Sequence, residues 1–104
     1  MESPILIDVW TVDPSQQGEL ARGISDGMRN VIVDRRGFVS AQLYESTNGD
    51  AMMVKVRMRT IKERQELTDS PEAHNLVREL GTIARSHLRL FRLAERFGES
   101  DEPA

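Results

Sequence analysis

The run Pro4-Ile5-Leu6-Ile7-Asp8-Val9-Trp10-Thr11-Val12 is apolar on both of its alternating faces and carries one charge, at Asp8. Leu6, Asp8 and Trp10 share one side of such a strand, and Ile5, Ile7, Val9 and Thr11 share the other. A segment of this kind is covered on both faces. An ionised carboxylate removed from water is costly unless it is paired or hydrogen-bonded. Asp8 therefore either lines a pocket that holds water, a ligand or a polar partner, or meets a structural arginine or a backbone donor.

Outward from this strand the chain alternates helix and strand signals. Asp13-Pro14 with Gln16 predicts a capped helix start. Leu20, Ile24, Met28, Val31 and Ile32 follow at three- and four-residue intervals, ending before Gly37. Phe38-Val39-Ser40-Ala41-Gln42-Leu43-Tyr44 alternates as a second strand, and Asn48-Gly49 favours a tight hairpin to a third strand over 51–59. That third strand puts Met52, Val54, Val56 and Met58 on one face, and Met53, Lys55, Arg57 and Arg59 on the other. A short helix over 61–67 precedes a longer one capped by Ser70-Pro71, with Ala73, Leu76, Val77, Leu80, Ile83 and Ala84 along one side and His74 off that stripe. Residues 88–93 supply a fourth strand.

The order β-α-β-β-α-β gives an α+β fold of the ferredoxin-like kind, with helices on one face of an antiparallel sheet. Strict alternation leaves Ile5, Ile7, Val9, Val39, Ala41 and Leu43 on the other face. That apolar patch is too large to leave in water and predicts sheet-to-sheet dimerisation. One domain over 1–95 and an acidic, disordered tail over 96–104 account for the length.

The chain has 104 residues, 38% hydrophobic and 30% charged, with a formal charge of −3, which suits a single globular domain. Glu99, Asp101 and Glu102 match that charge, so the body is nearly balanced and nothing points to a polyanion partner. Without cysteine there are no disulfides, thiolate metal sites or thiol catalysis, and the two histidines, His74 and His87, have no metal-binding spacing. No metal, haem or flavin is expected. The lack of a leader pattern and of a long apolar run predicts an intracellular, cytoplasmic protein with no membrane partner.

Leu6-Ile7-Asp8-Val9-Trp10-Thr11-Val12, Arg36-Gly37-Phe38-Val39-Ser40-Ala41 and Asn48-Gly49-Asp50-Ala51, with the spacing of helices between them, resemble the antibiotic biosynthesis monooxygenase family over residues 5–93. The resemblance implies a dimeric α+β barrel. It also implies oxidation of an anthrone-like aromatic polyketide to a quinone by oxygen, without a cofactor. Family oxygenases carry an asparagine at the position of Asp8, and an asparagine and a tryptophan on the third strand at the positions of Val54 and Met58. Those donors hold the enolate and the reduced oxygen species in the family; valine and methionine cannot. The histidine of haem-degrading relatives falls near Val77, which argues against haem turnover.

Chemistry without a cofactor leaves deprotonation, orientation and charge stabilisation to the protein. Asp8 is the candidate base, its pKa raised by burial beside Trp10, Val54 and Met58. His87 is a second acid or base, or a histidine at a helix end favoured by the dipole. Trp10 stacks on a planar ligand or is plain core. Met52, Met53 and Met58 form an adaptable pocket wall or pack in the core. Arg57 and Arg64 hold an anionic substrate or stay solvated, and Tyr44 orients a ligand or caps the dimer interface. The leading reading is a cofactor-independent oxygenase of secondary metabolism, acting as a homodimer on an aromatic small molecule. The alternatives are a polyketide cyclase or dehydratase using Asp8 as base, and a non-catalytic binder. An RRM shares the element order, but its aromatic signature belongs on the third strand, where this chain has no aromatic; nucleic acid is not the expected partner.

Overall fold

A computed structural model describes residues 3–99. Strand β1 (Ile5–Val12) is followed by a 3-10 turn and helix α1 (Gln17–Gly27), then by the hairpin β2 (Phe38–Glu45) and β3 (Ala51–Met58). Helices α2 (Ile61–Asp69) and α3 (Pro71–Leu80) lead to β4 (Ala84–Phe91). The strands form one antiparallel sheet in the order β2-β3-β1-β4, so the strand bearing Asp8 lies between two neighbours. This is the ferredoxin-like order predicted from the sequence.

Local chemistry sets the boundaries. Asp13 accepts hydrogen bonds from the Ser15 amide (2.9 Å) and hydroxyl (2.7 Å), starting the 3-10 turn Pro14–Gln16 that feeds α1. Helix α1 runs on through a π-helical turn, Met28–Ile32. Buried Ser70 joins α2 to α3: its hydroxyl donates to the Leu67 carbonyl (2.8 Å) and accepts from the Ala73 amide (3.2 Å). Gly49, with φ of +83°, turns the β2–β3 hairpin as Asn48-Gly49 predicted.

The core lies between the sheet and the helices. Leu6, Trp10 and Val12 of β1 and Met52, Val54, Val56 and Met58 of β3 meet Leu20, Ile24, Ile32, Leu67 and Leu80 from the helical layer. Helices α1 and α3 approach closely because two glycines on α1 leave room. A Cβ at Gly23 would overlap the side chain of Leu80, and one at Gly27 that of Leu76.

Three expectations are corrected. Between Phe38 and Ser40 the β2–β3 register shifts by a bulge, so that Phe38 opposes Met58 and Ala41 opposes Val56. The extra residue reverses the parity of the rest of β2. Ala41 and Leu43, expected on the outer face, therefore pack against the core. Tyr44 is opposite Met53 and points outward instead. Second, α3 ends at Leu80 with Gly81 as its cap, so Ile83 and Ala84 do not extend the helix. Third, β4 begins at Ala84 rather than at 88 and ends at Phe91.

The outer face of the sheet is consequently mixed. Ile5, Ile7, Val9 and Thr11 run down its centre. Arg85, His87, Arg89 and Phe91 flank them on β4, and Met53, Lys55 and Arg57 on β3. Ser40, Gln42 and Tyr44 complete it on β2. No strand residue of this face is acidic. Of the tail expected over 96–104, residues 100–104 lie outside the described residues, and residues 96–99 are exposed and without helix or strand.

Candidate active site

Between the helical layer and the sheet lies a cavity of about 510 Å³. Its sheet wall is Leu6, Asp8 and Trp10 of β1, Val54 and Val56 of β3, and Ser86 and Leu88 of β4. Opposite stand Ile24 of α1, Met28 and Ile32 of the π-helical turn, and Leu67 and Thr68 of α2. Helix α3 contributes Ala73, His74, Leu76, Val77, Arg78 and Leu80. A pocket of this size, apolar with few polar groups, suits a small organic ligand.

Asp8 is the acid of this wall. It is only 7% exposed, and its carboxylate accepts the Ser86 hydroxyl at 2.6 Å (Oδ1) and 2.8 Å (Oδ2), together with the backbone N–H of His87. Register explains the contact: Trp10 pairs with Ser86 and Asp8 with Leu88, so Ser86 sits diagonally beside Asp8 on the same face. Burial raises the Asp8 pKa above its ordinary value, outweighing the Ser86 hydroxyl, the His87 amide and the His87 charge, which act the other way. A hydrogen-bonded carboxyl whose proton is held more tightly than usual, against apolar walls, is equipped to take a proton from a weak carbon or phenol acid.

The structure brings together only part of the predicted set. Asp8, Trp10 and Val54 line the cavity. Met58 lies on the same sheet face but is fully buried in the core and does not border the cavity. Tyr44, half exposed, is on the outer face because of the β2 bulge. His87 is neither at a helix end nor ahead of the strand; it lies within β4 opposite Val9, so its side chain also faces outward and only its amide reaches Asp8. Arg64 belongs to α2, away from the cavity, with a buried Nε that has no hydrogen-bond partner. Arg57 pairs with Ile5 and Ser40 on the outer face.

Ser86, Thr68, His74 and Arg78 were not anticipated as cavity residues. Ser86 was legible in principle: stopping α3 at Gly81 brings Ala84, Ser86 and Leu88 onto one face of β4 by period two. Among the described residues no cluster of three or more His, Asp or Glu side chains could hold a metal ion, and no helix is long and apolar enough to cross a membrane.

No family model matches the sequence, and no curated protein matches it. Solved structures do. SnoaB, a cofactor-independent oxygenase from Streptomyces nogalater, superposes with a TM-score of 0.71 at 16% identity, covering 95% of this chain and 100% of that one. The chain shares the fold of that structure over nearly its whole length. Rv0793 from Mycobacterium tuberculosis gives a TM-score of 0.69 at 21% identity, with 94% and 100% covered. NE2512 from Nitrosomonas europaea gives 0.74 at 14%, with 96% and 97% covered. At these identities the likeness is one of fold.

Proposed function

We propose that the chain is a cofactor-independent oxygenase that takes an activated methylene of an aromatic, polyketide-like substrate to a carbonyl. The observation that carries this reading is Asp8, a buried carboxyl with a raised pKa on the wall of an apolar cavity of substrate size. The fold shared with SnoaB, described as a cofactor-independent oxygenase, supports it. Asp8 takes a proton from the methylene and leaves a delocalised carbanion. The carbanion passes one electron to dioxygen, and the radical pair joins to a peroxide. Protonated Asp8 returns its proton to the peroxide, and loss of water, formed from that proton, the second methylene hydrogen and the distal oxygen, leaves the carbonyl. One oxygen atom ends in product and one in water, so dioxygen is the only oxidant required. Trp10, on the same strand face as Asp8, offers an aromatic surface along which a planar ring system can lie.

A second reading is favoured by Val54. The valine lies directly opposite Asp8 on β3 and offers no donor to a reduced oxygen species. A carbanion formed at Asp8 can instead close on a carbonyl and lose water, as in a cyclase or dehydratase. A binder without turnover is the remaining alternative. Oxygen uptake with an anthrone panel, followed by product mass, separates them. A gain of about 14 mass units, one oxygen in and two hydrogens out, identifies the oxygenase, and loss of about 18, one water, the cyclase or dehydratase. Neither change in any substrate, with retained ligand binding, leaves the binder.

The same proposal includes a homodimer closed through the outer faces of two sheets. Ile7 and Val9 at its centre and the half-exposed Tyr44 and Phe91 support this, since among the described residues no helix covers them. Light scattering over a dilution series should hold at twice the chain mass. A natively folded monomer at low concentration overturns the dimer.

A further inference from the structure

The cavity has a chemical direction. Asp8 is on its buried side, whereas the lining residues Val77, Arg78, His74 and Leu88 are exposed and mark its mouth. His74 and Arg78 are one turn apart on α3, on one side of the helix. His74 is anchored there: its Nε2–H donates to the Thr68 carbonyl at 2.8 Å. The Arg78 guanidinium, by contrast, makes neither hydrogen bond nor ion pair among the described residues. Among the described residues, no acidic side chain apart from Asp8 lines the cavity. An unengaged guanidinium beside an apolar opening is a ready partner for a carboxylate or similar anion, with a planar fork that such groups can fill.

We propose that the cavity selects an apolar, ring-containing ligand that bears one anionic group, held at the mouth by Arg78. In its ionised form Asp8 repels an anion, so the two ends fix which way the ligand enters. The reactive carbon is presented to Asp8 while the anion stays at α3. This inference rests on the cavity being the substrate site, but not on oxygen chemistry, and its test needs no turnover.

Two fluorescent ligands with the same aromatic body make that test: 8-anilinonaphthalene-1-sulfonate and N-phenyl-1-naphthylamine, which lacks the sulfonate. Trp10 is the only tryptophan of the chain and lines the cavity, so energy transfer from it reports binding, and the comparison of Arg78 with Arg89 variants assigns the site. Wild-type protein should bind the sulfonate about five- to tenfold more tightly. Arg78→Gln should erase that preference and leave the affinity for the neutral ligand unchanged, and Arg78→Lys should restore part of it. Arg89→Gln, on the outer face, should keep it in full. Equal affinities in the wild type, or a preference that survives Arg78→Gln, overturn the proposal. Oxygen uptake plays no part in these readings, so a failure here and a failure of the oxygenase reading are separate results.

Discussion

The Ser86 hydroxyl spans both carboxylate oxygens of Asp8, at 2.6 Å and 2.8 Å, across 78 positions of sequence. Two adjacent strands that meet only in the folded sheet thus share one hydrogen-bonded pair. When Asp8 is ionised the hydroxyl donates to it; when Asp8 is protonated the direction can reverse.

Asp8→Asn is expected to abolish turnover and to stabilise the fold at neutral and higher pH. Burial raises the Asp8 pKa from an ordinary value of 3.8, so above that value the folded chain holds the proton more tightly than the unfolded chain does. Its contribution to stability is full below 3.8 and is lost as pH rises through the raised folded value. The amide does not titrate and can still accept the Ser86 hydroxyl. Thermal melts should therefore show the variant above the wild type at about pH 8, with the gap closing toward about pH 4. A gap independent of pH would remove Asp8 as its source.

Ser86→Ala removes the stronger of the hydrogen bonds that hold the Asp8 pKa down. The rising limb of the pH–rate profile should move to higher pH, and stability at neutral pH should fall by about 1–2 kcal/mol. Ser86→Thr should return both toward the wild type. An unchanged profile with lost stability would make Ser86 structural only.

Val54→Asn places an amide directly across the sheet from Asp8 and facing the cavity, and is expected to raise oxygen-dependent turnover of an anthrone. Met58→Trp, by contrast, has no cavity to enter. Its site is fully buried, so overpacking should cost about 1–3 kcal/mol with no gain in turnover. Oxygen-electrode rates and urea melts of the two single variants decide both halves.

Gly27→Ala should lower stability by about 1–2 kcal/mol although alanine is the better helix former, because the new methyl meets Leu76 across the α1–α3 contact. Combining it with Leu76→Val should recover part of the loss in a urea melt. Additive losses would mean that the two side chains do not compete for space.

Much of the fold was legible because it rests on periodicities that tertiary context does not override. The β1 run, the α1 stripe, the Asn48-Gly49 hairpin and the Ser70-Pro71 cap all appear where their chemistry predicts them. The candidate site was legible at Asp8, Trp10 and Val54, whose strand parity is unbroken. The ligand-orienting reading of Tyr44 failed because a one-residue bulge is invisible to a period-two reading and inverts every side chain beyond it. The site reading failed at His87 and Ser86 because Ile83 and Ala84 continue the helical spacing of α3 past Gly81, hiding the start of β4. His74 and Arg78 border the cavity from the exposed part of α3, where no apolar pattern marks them.

Strand β4 sets Arg85, His87 and Arg89 on the outer sheet face, which has no carboxylate on its strands, in a chain whose formal charge is −3. Pairing two such faces brings the arginines of both β4 strands closer together, like charge toward like. Added electrolyte shortens the reach of that repulsion to about 8 Å at physiological ionic strength, and less above it. Self-association should then tighten with salt instead of loosening, and multivalent anions such as sulfate should promote it at lower concentration than chloride does. Counterions, as much as the aliphatic centre of the sheet, would set how tightly the proposed pair holds.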